Sequence, residues 1–142
     1  KKDLTISTLE DISGGSIAES FQIASQSQFK QGVIANTPEV LKNLSKSTKI
    51  NPISKDPIKS VIAQANIIKK MSNTDLGIAY HGKSYQNLKV ENLGQGDGYF
   101  AIVSNSRYDT RHVRSAGMGK PDKRRASMHA LSLTRKFIKS SK

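Results

Sequence analysis

The residues best suited to chemistry lie in one turn, Glu10-Asp11-Ile12-Ser13-Gly14-Gly15, between a predicted strand and a predicted helix. Glycines let the backbone approach a ligand closely, and the first amides of a helix point at a phosphate or oxyanion. The turn therefore predicts an anion-binding site that includes Asp11, Ser13, Gly14 and Gly15. A tight turn that caps a helix has the same composition, so that alternative stays open.

Ser13 is also a candidate nucleophile. A serine nucleophile needs a base within hydrogen-bond reach, or a lysine desolvated enough to lose its proton. Lys42 and Lys83 offer amines and His81 offers an imidazole, but no spacing in the sequence brings them to Ser13. A set made of Ser13, Lys42 and His81 is therefore a hypothesis that needs a structure to test it.

Metal chemistry is not indicated. The three histidines, at positions 81, 112 and 129, are few and widely separated, and the chain has no cysteine. The lack of cysteine excludes a disulfide framework, a thiolate nucleophile and a Cys-type zinc site. We expect neither a metal nor another cofactor.

The elements that would position these residues follow from hydrophobic periodicity. Strands are predicted at 4–8, 31–36, 75–80, 99–104 and 108–115, with a short edge strand at 88–90. Helices are predicted from Ser13 or Gly14, from Pro38 to Leu44 after the cap Thr37, from Ser54 or Asp56 to Met71, and from Pro121 to Ile138. The apolar face of the last helix is predicted to consist of Ala126, Met128 (or Ala130), Leu131, Leu133, Thr134 and Phe137.

Strands that alternate with helices and end in a hairpin predict an α/β fold with a mixed sheet and helices on its faces. In such folds ligands collect at the carboxyl ends of the strands. Segments 10–15, 36–39 and 80–83 are therefore predicted to converge on one cleft, to which Asn36, His81 and Gly82 contribute.

The charge is concentrated at one end of the chain. The formal net charge is +12, from 23 Lys and Arg against 11 Asp and Glu, and residues 105–142 contribute 11 − 2 = +9 of it. Such a field attracts polyanions, although a solvated basic face has the same composition. The predicted docking face consists of Arg111, Arg114, Lys123, Arg124, Arg125 and Arg135.

Nucleic acid could contact the last helix through phosphates and stack on Tyr108 and His112, although no nucleic-acid-binding motif is present.

The overall class is a single domain over residues 1–142. The length supports a real core, no apolar run approaches the roughly 20 residues that cross a bilayer, and no secretory signal is visible. We therefore expect a cytoplasmic protein without membrane insertion. The chain starts with Lys1 rather than Met, which is compatible with excision from a longer protein.

Taken in order, segments over residues 4–138 resemble the C-terminal domain of the CinA family. Its E-S-C-T-G-G turn is matched by residues 10–15, its R-G-F-V-T-Y-S-N-E-A-K segment by residues 31–41, and its A-D-L-G-L-A-V-T-G segment by residues 74–82. The closing helix is matched by Arg125-Ala126 and Ala130-Leu131. The resemblance implies a three-layer α/β/α sandwich, a bacterial source, self-association, and an ancestral activity as a nicotinamide mononucleotide deamidase.

The departures from that family concern its catalytic residues. The positions of the family's serine nucleophile, tyrosine and lysine read Asp11, Asn36 and Leu41 in this chain. We therefore expect a catalytically inactive domain with a vestigial cleft, which acts as a protein-binding or assembly module through its basic end. Two alternatives remain: an active amidohydrolase on nicotinamide mononucleotide or a related amide, and a nonspecific nucleic-acid-binding domain.

Overall fold

The computed structural model describes residues 3–83, 96–117 and 119–140. The predicted edge strand at 88–90 lies outside these residues. In chain order the elements are β1 (Ile6–Glu10), α1 (Ser16–Ala24), β2 (Phe29–Ile34), α2 (Pro38–Ser45), a 3₁₀ turn (Lys46–Thr48), α3 (Pro57–Ser72), β3 (Leu76–Lys83), β4 (Gly96–Val103), β5 (Tyr108–Ala116) and α4 (Lys120–Lys139).

The strands form one mixed sheet in the order β2-β1-β3-β4-β5. β1 is parallel to both β2 and β3, whereas β4 is antiparallel to β3 and to β5. The parallel strands are joined through helices and the antiparallel ones through a hairpin, as chain geometry requires. The predicted α/β class and mixed sheet are confirmed.

Each face of the sheet has its own core. On one face, Ile17 and Phe21 of α1 and Leu133 and Phe137 of α4 pack against the strands. On the other face, Leu41 of α2 and residues of α3 such as Val61 and Ile68 pack against Leu9, Ala79 and Ala101. The two helical layers complete the three-layer α/β/α sandwich that the resemblance implied.

Two helices, α2 and α3, start at the predicted caps. Thr37 accepts a hydrogen bond from the Val40 amide, with Pro38 at the first helical position. Asp56, rather than the alternative Ser54, caps α3 by accepting from the Ile58 amide over 2.9 Å. The start predicted for α1 at Ser13 or Gly14 is wrong, because Gly14 and Gly15 adopt φ values of 63° and 100°. A residue in that left-handed region cannot continue a right-handed helix, so α1 begins at Ser16.

The end of β3 also differs from the prediction, and the structure decides one choice that periodicity left open on α4. β3 continues through His81 to Lys83, because it pairs with β4 over its whole length. On α4, Met128 is 63% exposed and Ala130 is fully buried, so Ala130 is the core residue of the two that periodicity allowed. Two residues correspond to about 200° around a helix, whereas four return to the face of Ala126.

Candidate functional site

A cleft of about 510 Å³ opens beyond the carboxyl ends of β1 and β2, on the side of the sheet covered by α2 and α3. Its walls come from the strand ends, from the first turns of α2, and from α3 with the loop before it. The lining residues are Leu9, Glu10, Asp11, Ala35, Asn36, Thr37, Pro38, Glu39, Leu41, Ile53, Ser54, Ser60, Gln64 and His81.

The structure brings together at least one residue from each of the three segments that were predicted to converge on a cleft. Asp11, Asn36 and His81 all line the cleft, while Ser13, Gly14, Gly15 and Gly82 are outside its lining. Leu41 also faces the cleft. The three positions that the resemblance matched to the family's catalytic residues, 11, 36 and 41, therefore share one cavity.

The Asp11 carboxylate is a polar group of this cleft with several hydrogen-bond partners. It lies 2.9 Å from His81 Nδ1 and accepts hydrogen bonds from the amides of Ile12 and Gly82, at 2.6 and 3.0 Å to Oδ1. Asp11 is 6% exposed, and the His81 side chain is 25% exposed. A Cβ at position 82 would lie 2.3 Å from Ile12 Cδ1, so Gly82 lets the strand come this close. Asp11 thus fixes the orientation of an imidazole that faces the cleft.

The amides at the start of α1 bind a carboxylate of the protein itself, that of Glu10. Glu10, 1% exposed, accepts hydrogen bonds from the amides of Ile17 and Ala18, at 3.1 and 2.9 Å. A carboxylate at a helix N-terminus is stabilised by the free amides and by the helix dipole. Two of the amides that were predicted to bind an anionic ligand therefore donate to Glu10 instead.

Ser13 does not meet the geometry of a nucleophile. It is 1% exposed, and its hydroxyl donates to Glu10 Oε1 over 2.5 Å. Lys42 is exposed on α2 outside the cleft lining, and His81 is bonded to Asp11. The side chain of Lys83 lies outside the described residues. The set of Ser13, Lys42 and His81 is therefore not assembled.

The predicted docking face divides into exposed and tethered side chains. Arg114, Arg124 and Arg135 are exposed. Arg125 is also exposed and pairs with the buried Asp122. Two members point back into the protein. Arg111 donates to His129 Nδ1 over 3.3 Å, and Lys123 Nζ lies 3.0 Å from where a Cβ of residue 14 would be.

The two residues proposed for base stacking differ in their surroundings. Tyr108 is 62% exposed. The His112 ring stacks on Tyr99 with a centroid distance of 4.5 Å and an interplanar angle of 6°, and its Nε2 lies 3.0 Å from Asp97 Oδ1. One face of His112 is therefore covered by the protein itself.

Metal and membrane sites were also sought in residues 3–83, 96–117 and 119–140. Within them no cluster of three or more His, Asp or Glu side chains could hold a metal ion. None of the helices described combines the length and the apolar character that crossing a bilayer requires.

Comparison with known proteins identifies the fold. No family model and no curated protein matches the sequence. Among solved structures, a competence-damaged protein (CinA) superfamily protein from Escherichia coli is 18% identical with a TM-score of 0.72, over 95% of this chain and 81% of that one. A CinA superfamily protein from Klebsiella pneumoniae is 19% identical with a TM-score of 0.70, over 92% of this chain and 84% of that one.

A more distant sequence matches over a longer span. The competence/damage inducible protein CihA from Agrobacterium tumefaciens is 16% identical with a TM-score of 0.69, over 99% of this chain and 87% of that one. At these identities the likeness concerns the fold. The chain therefore has the fold of the CinA superfamily proteins.

Proposed function

We propose that this chain, which has the CinA fold, is a catalytically inactive domain that works in the bacterial cytoplasm as a protein-binding or assembly module. The supporting observation is that the structure has an open cleft, while the hydroxyl of Ser13, in the turn between β1 and α1, is buried and bonded to Glu10. In this proposal the docking face is the part of the predicted face that lies on α4, with the exposed Arg124, Arg125 and Arg135.

The groups that line the cleft support the proposed loss of catalysis. Amide hydrolysis by a serine route needs an exposed hydroxyl next to a base. The corresponding positions hold the Asp11 carboxylate, the Asn36 amide and the apolar Leu41 side chain. None of these can form the covalent serine intermediate, and the Asp11 carboxylate is already engaged by two amides and His81.

A stripe along α4 favours a protein partner. It consists of Arg124, Met128, Arg135 and Ile138, spaced by four, seven and three residues, which places them on one side of the helix. Leu131, which packs against the core, lies at the edge of this stripe. Met128 is 63% exposed between the exposed Arg124 and Arg135, and Ile138 is 36% exposed. Met and Arg are enriched in protein interfaces, and an exposed apolar side chain gains little from phosphates. We therefore infer an acidic partner surface with an apolar centre.

The experiment places a photoreactive amino acid at position 128 and irradiates cells of the source organism. We expect one dominant cross-linked protein with an acidic surface, and loss of that product when Arg124→Glu and Arg135→Glu are added. The control places the same group at Val40, which is 46% exposed on α2, across the sheet from α4. Cross-links to nucleic acid would support the alternative, and equal products from both positions would contradict a docking face on α4.

A further inference from the structure

The cleft presents a hydrogen-bond acceptor that is fixed by Asp11. An ionised carboxylate only accepts hydrogen bonds, so in the contact at 2.9 Å the hydrogen lies on His81 Nδ1. With this tautomer of the imidazole, Nε2 is an acceptor. Because His81 lines the cleft, a ligand that contacts this nitrogen must bring an N–H or O–H donor.

The charges of the cleft differ from those of the rest of the protein. Its described lining contains the carboxylates of Asp11 and Glu39 and no Lys or Arg, while the carboxylate of the third acidic residue, Glu10, is bonded to the start of α1. An anionic ligand in this cavity would meet like charges without a compensating cation, which costs free energy in a partly desolvated site. A cation would meet opposite charges. The chain as a whole carries +12, so this preference is local to the cleft.

Flat rings continue from the cleft across the sheet. His81 on β3 is paired with Tyr99 on β4, and Tyr99 is paired with His112 on β5. Asp11 bonds the first ring of this row, and Asp97 bonds the last. Side chains at paired positions of neighbouring strands stand on the same face of a sheet. Tyr99 and His112 lie outside the cleft lining and stack on each other, so His81 is the ring of this row that faces the cleft.

We propose that the cleft binds an organic cation with N–H donors, such as an amidinium or guanidinium group, and rejects phosphates and carboxylates. The acceptor at His81 selects the donor, and the carboxylates of Asp11 and Glu39 select the positive charge. This site is separate from the docking face, because α4 lies on the opposite side of the sheet from α2 and α3.

Three probes of equal shape test this proposal. The ¹⁵N-labelled protein is titrated with benzamidine, benzamide and benzoate, which are cationic, neutral and anionic. We expect benzamidine to shift the amide resonances of Asp11, Asn36 and His81 with a Kd of about 1 mM, the range for so small a ligand. Benzamide should bind about tenfold more weakly, and benzoate should leave these resonances unchanged. Benzoate binding as tightly as benzamidine, or no shift with benzamidine up to about 20 mM, would overturn the proposal.

Variants locate the binding. Asp11→Asn should weaken benzamidine binding about tenfold, since it removes the charge and replaces one of the two acceptor oxygens with an NH2 donor. Asp109→Asn makes the same change at an exposed carboxylate on β5, outside the cleft, and should leave Kd unchanged within about twofold. His81→Gln serves if Asp11→Asn does not fold, and should also weaken binding. Unchanged affinity in the folded cleft variants would contradict the proposal.

Discussion

The Ser13 hydroxyl donates a hydrogen bond to the Glu10 carboxylate over 2.5 Å, and both residues are 1% exposed. The same carboxylate accepts the amides of Ile17 and Ala18 at the start of α1. The turn that most resembles a catalytic motif in the sequence is thus closed by its own residues. Its hydrogen bonds hold β1 to α1, while the next residue, Asp11, lines the cleft and bonds the more exposed His81.

Glu10→Gln should destabilise the protein by about 2 kcal/mol, because hydrogen bonds to a buried charged group are worth more than neutral ones. Urea unfolding followed by circular dichroism measures this change. Glu39→Gln is the matched control, since Glu39 lies in the first turn of α2 but is exposed, and should cost under about 1 kcal/mol. Equal losses in the two variants would show that Glu10 does not stabilise the start of α1.

His129 should make the protein less stable in acid. Burial lowers the pKa of His129 below its ordinary value of 6.5, with further lowering by Arg111 and Arg125. The unfolded chain therefore takes up this proton more readily, and the free energy of unfolding falls as the pH drops through about 6.5. His129→Gln should reduce the difference in stability between about pH 7 and pH 5, as measured by urea unfolding. His112→Gln, at an exposed imidazole, should keep it. If His129→Gln lost as much stability between about pH 7 and pH 5 as the unmodified protein, this assignment would be refuted.

Tyr80 should make the protein less stable in alkali. Burial raises the pKa of Tyr80 above its ordinary value of 10.0, and Asp11 and Asp122 raise it further. The folded state holds the phenol proton after the unfolded state has lost it, so the free energy of unfolding falls as the pH rises above about 10.

Tyr80→Phe should weaken that alkaline decline without abolishing it, because burial and Asp97 also raise the pKa of Tyr99. Thermal unfolding at a series of pH values between about 9 and 11 measures the slope. Tyr108→Phe removes an exposed phenol and should keep the slope of the unmodified protein. A steeper decline in Tyr80→Phe would contradict this account.

The sequence was most informative where structure is determined locally. Thr37 and Pro38 predicted the start of α2 because capping depends on neighbours within three residues. The cleft was predicted from strand ends, since the carboxyl ends of parallel strands meet at one edge of a sheet. The apolar periodicity of α4 allowed either Met128 or Ala130 to be the core residue. Only the packing of α4 on the sheet shows that Ala130 is buried and Met128 exposed.

The contact of Asp11 with His81 could not be predicted in the same way, because 70 residues separate the two. It follows from the register of the sheet, in which Glu10 at the end of β1 is paired with Tyr80 on β3. The residues that follow these two, Asp11 and His81, are therefore neighbours. Glu10 was also missed as the internal acceptor for α1. A carboxylate that ends a strand just before a Gly-Gly turn is the signal that could have indicated it.

The central claim is that the domain binds without hydrolysing an amide by a serine route. The direct measurement incubates the pure domain with nicotinamide mononucleotide and follows ammonia release, with Ser13→Ala as the paired variant and its fold checked by circular dichroism. The account predicts no ammonia above the enzyme-free background from either protein. Ammonia release by the unmodified domain that disappears in the folded Ser13→Ala variant would contradict it.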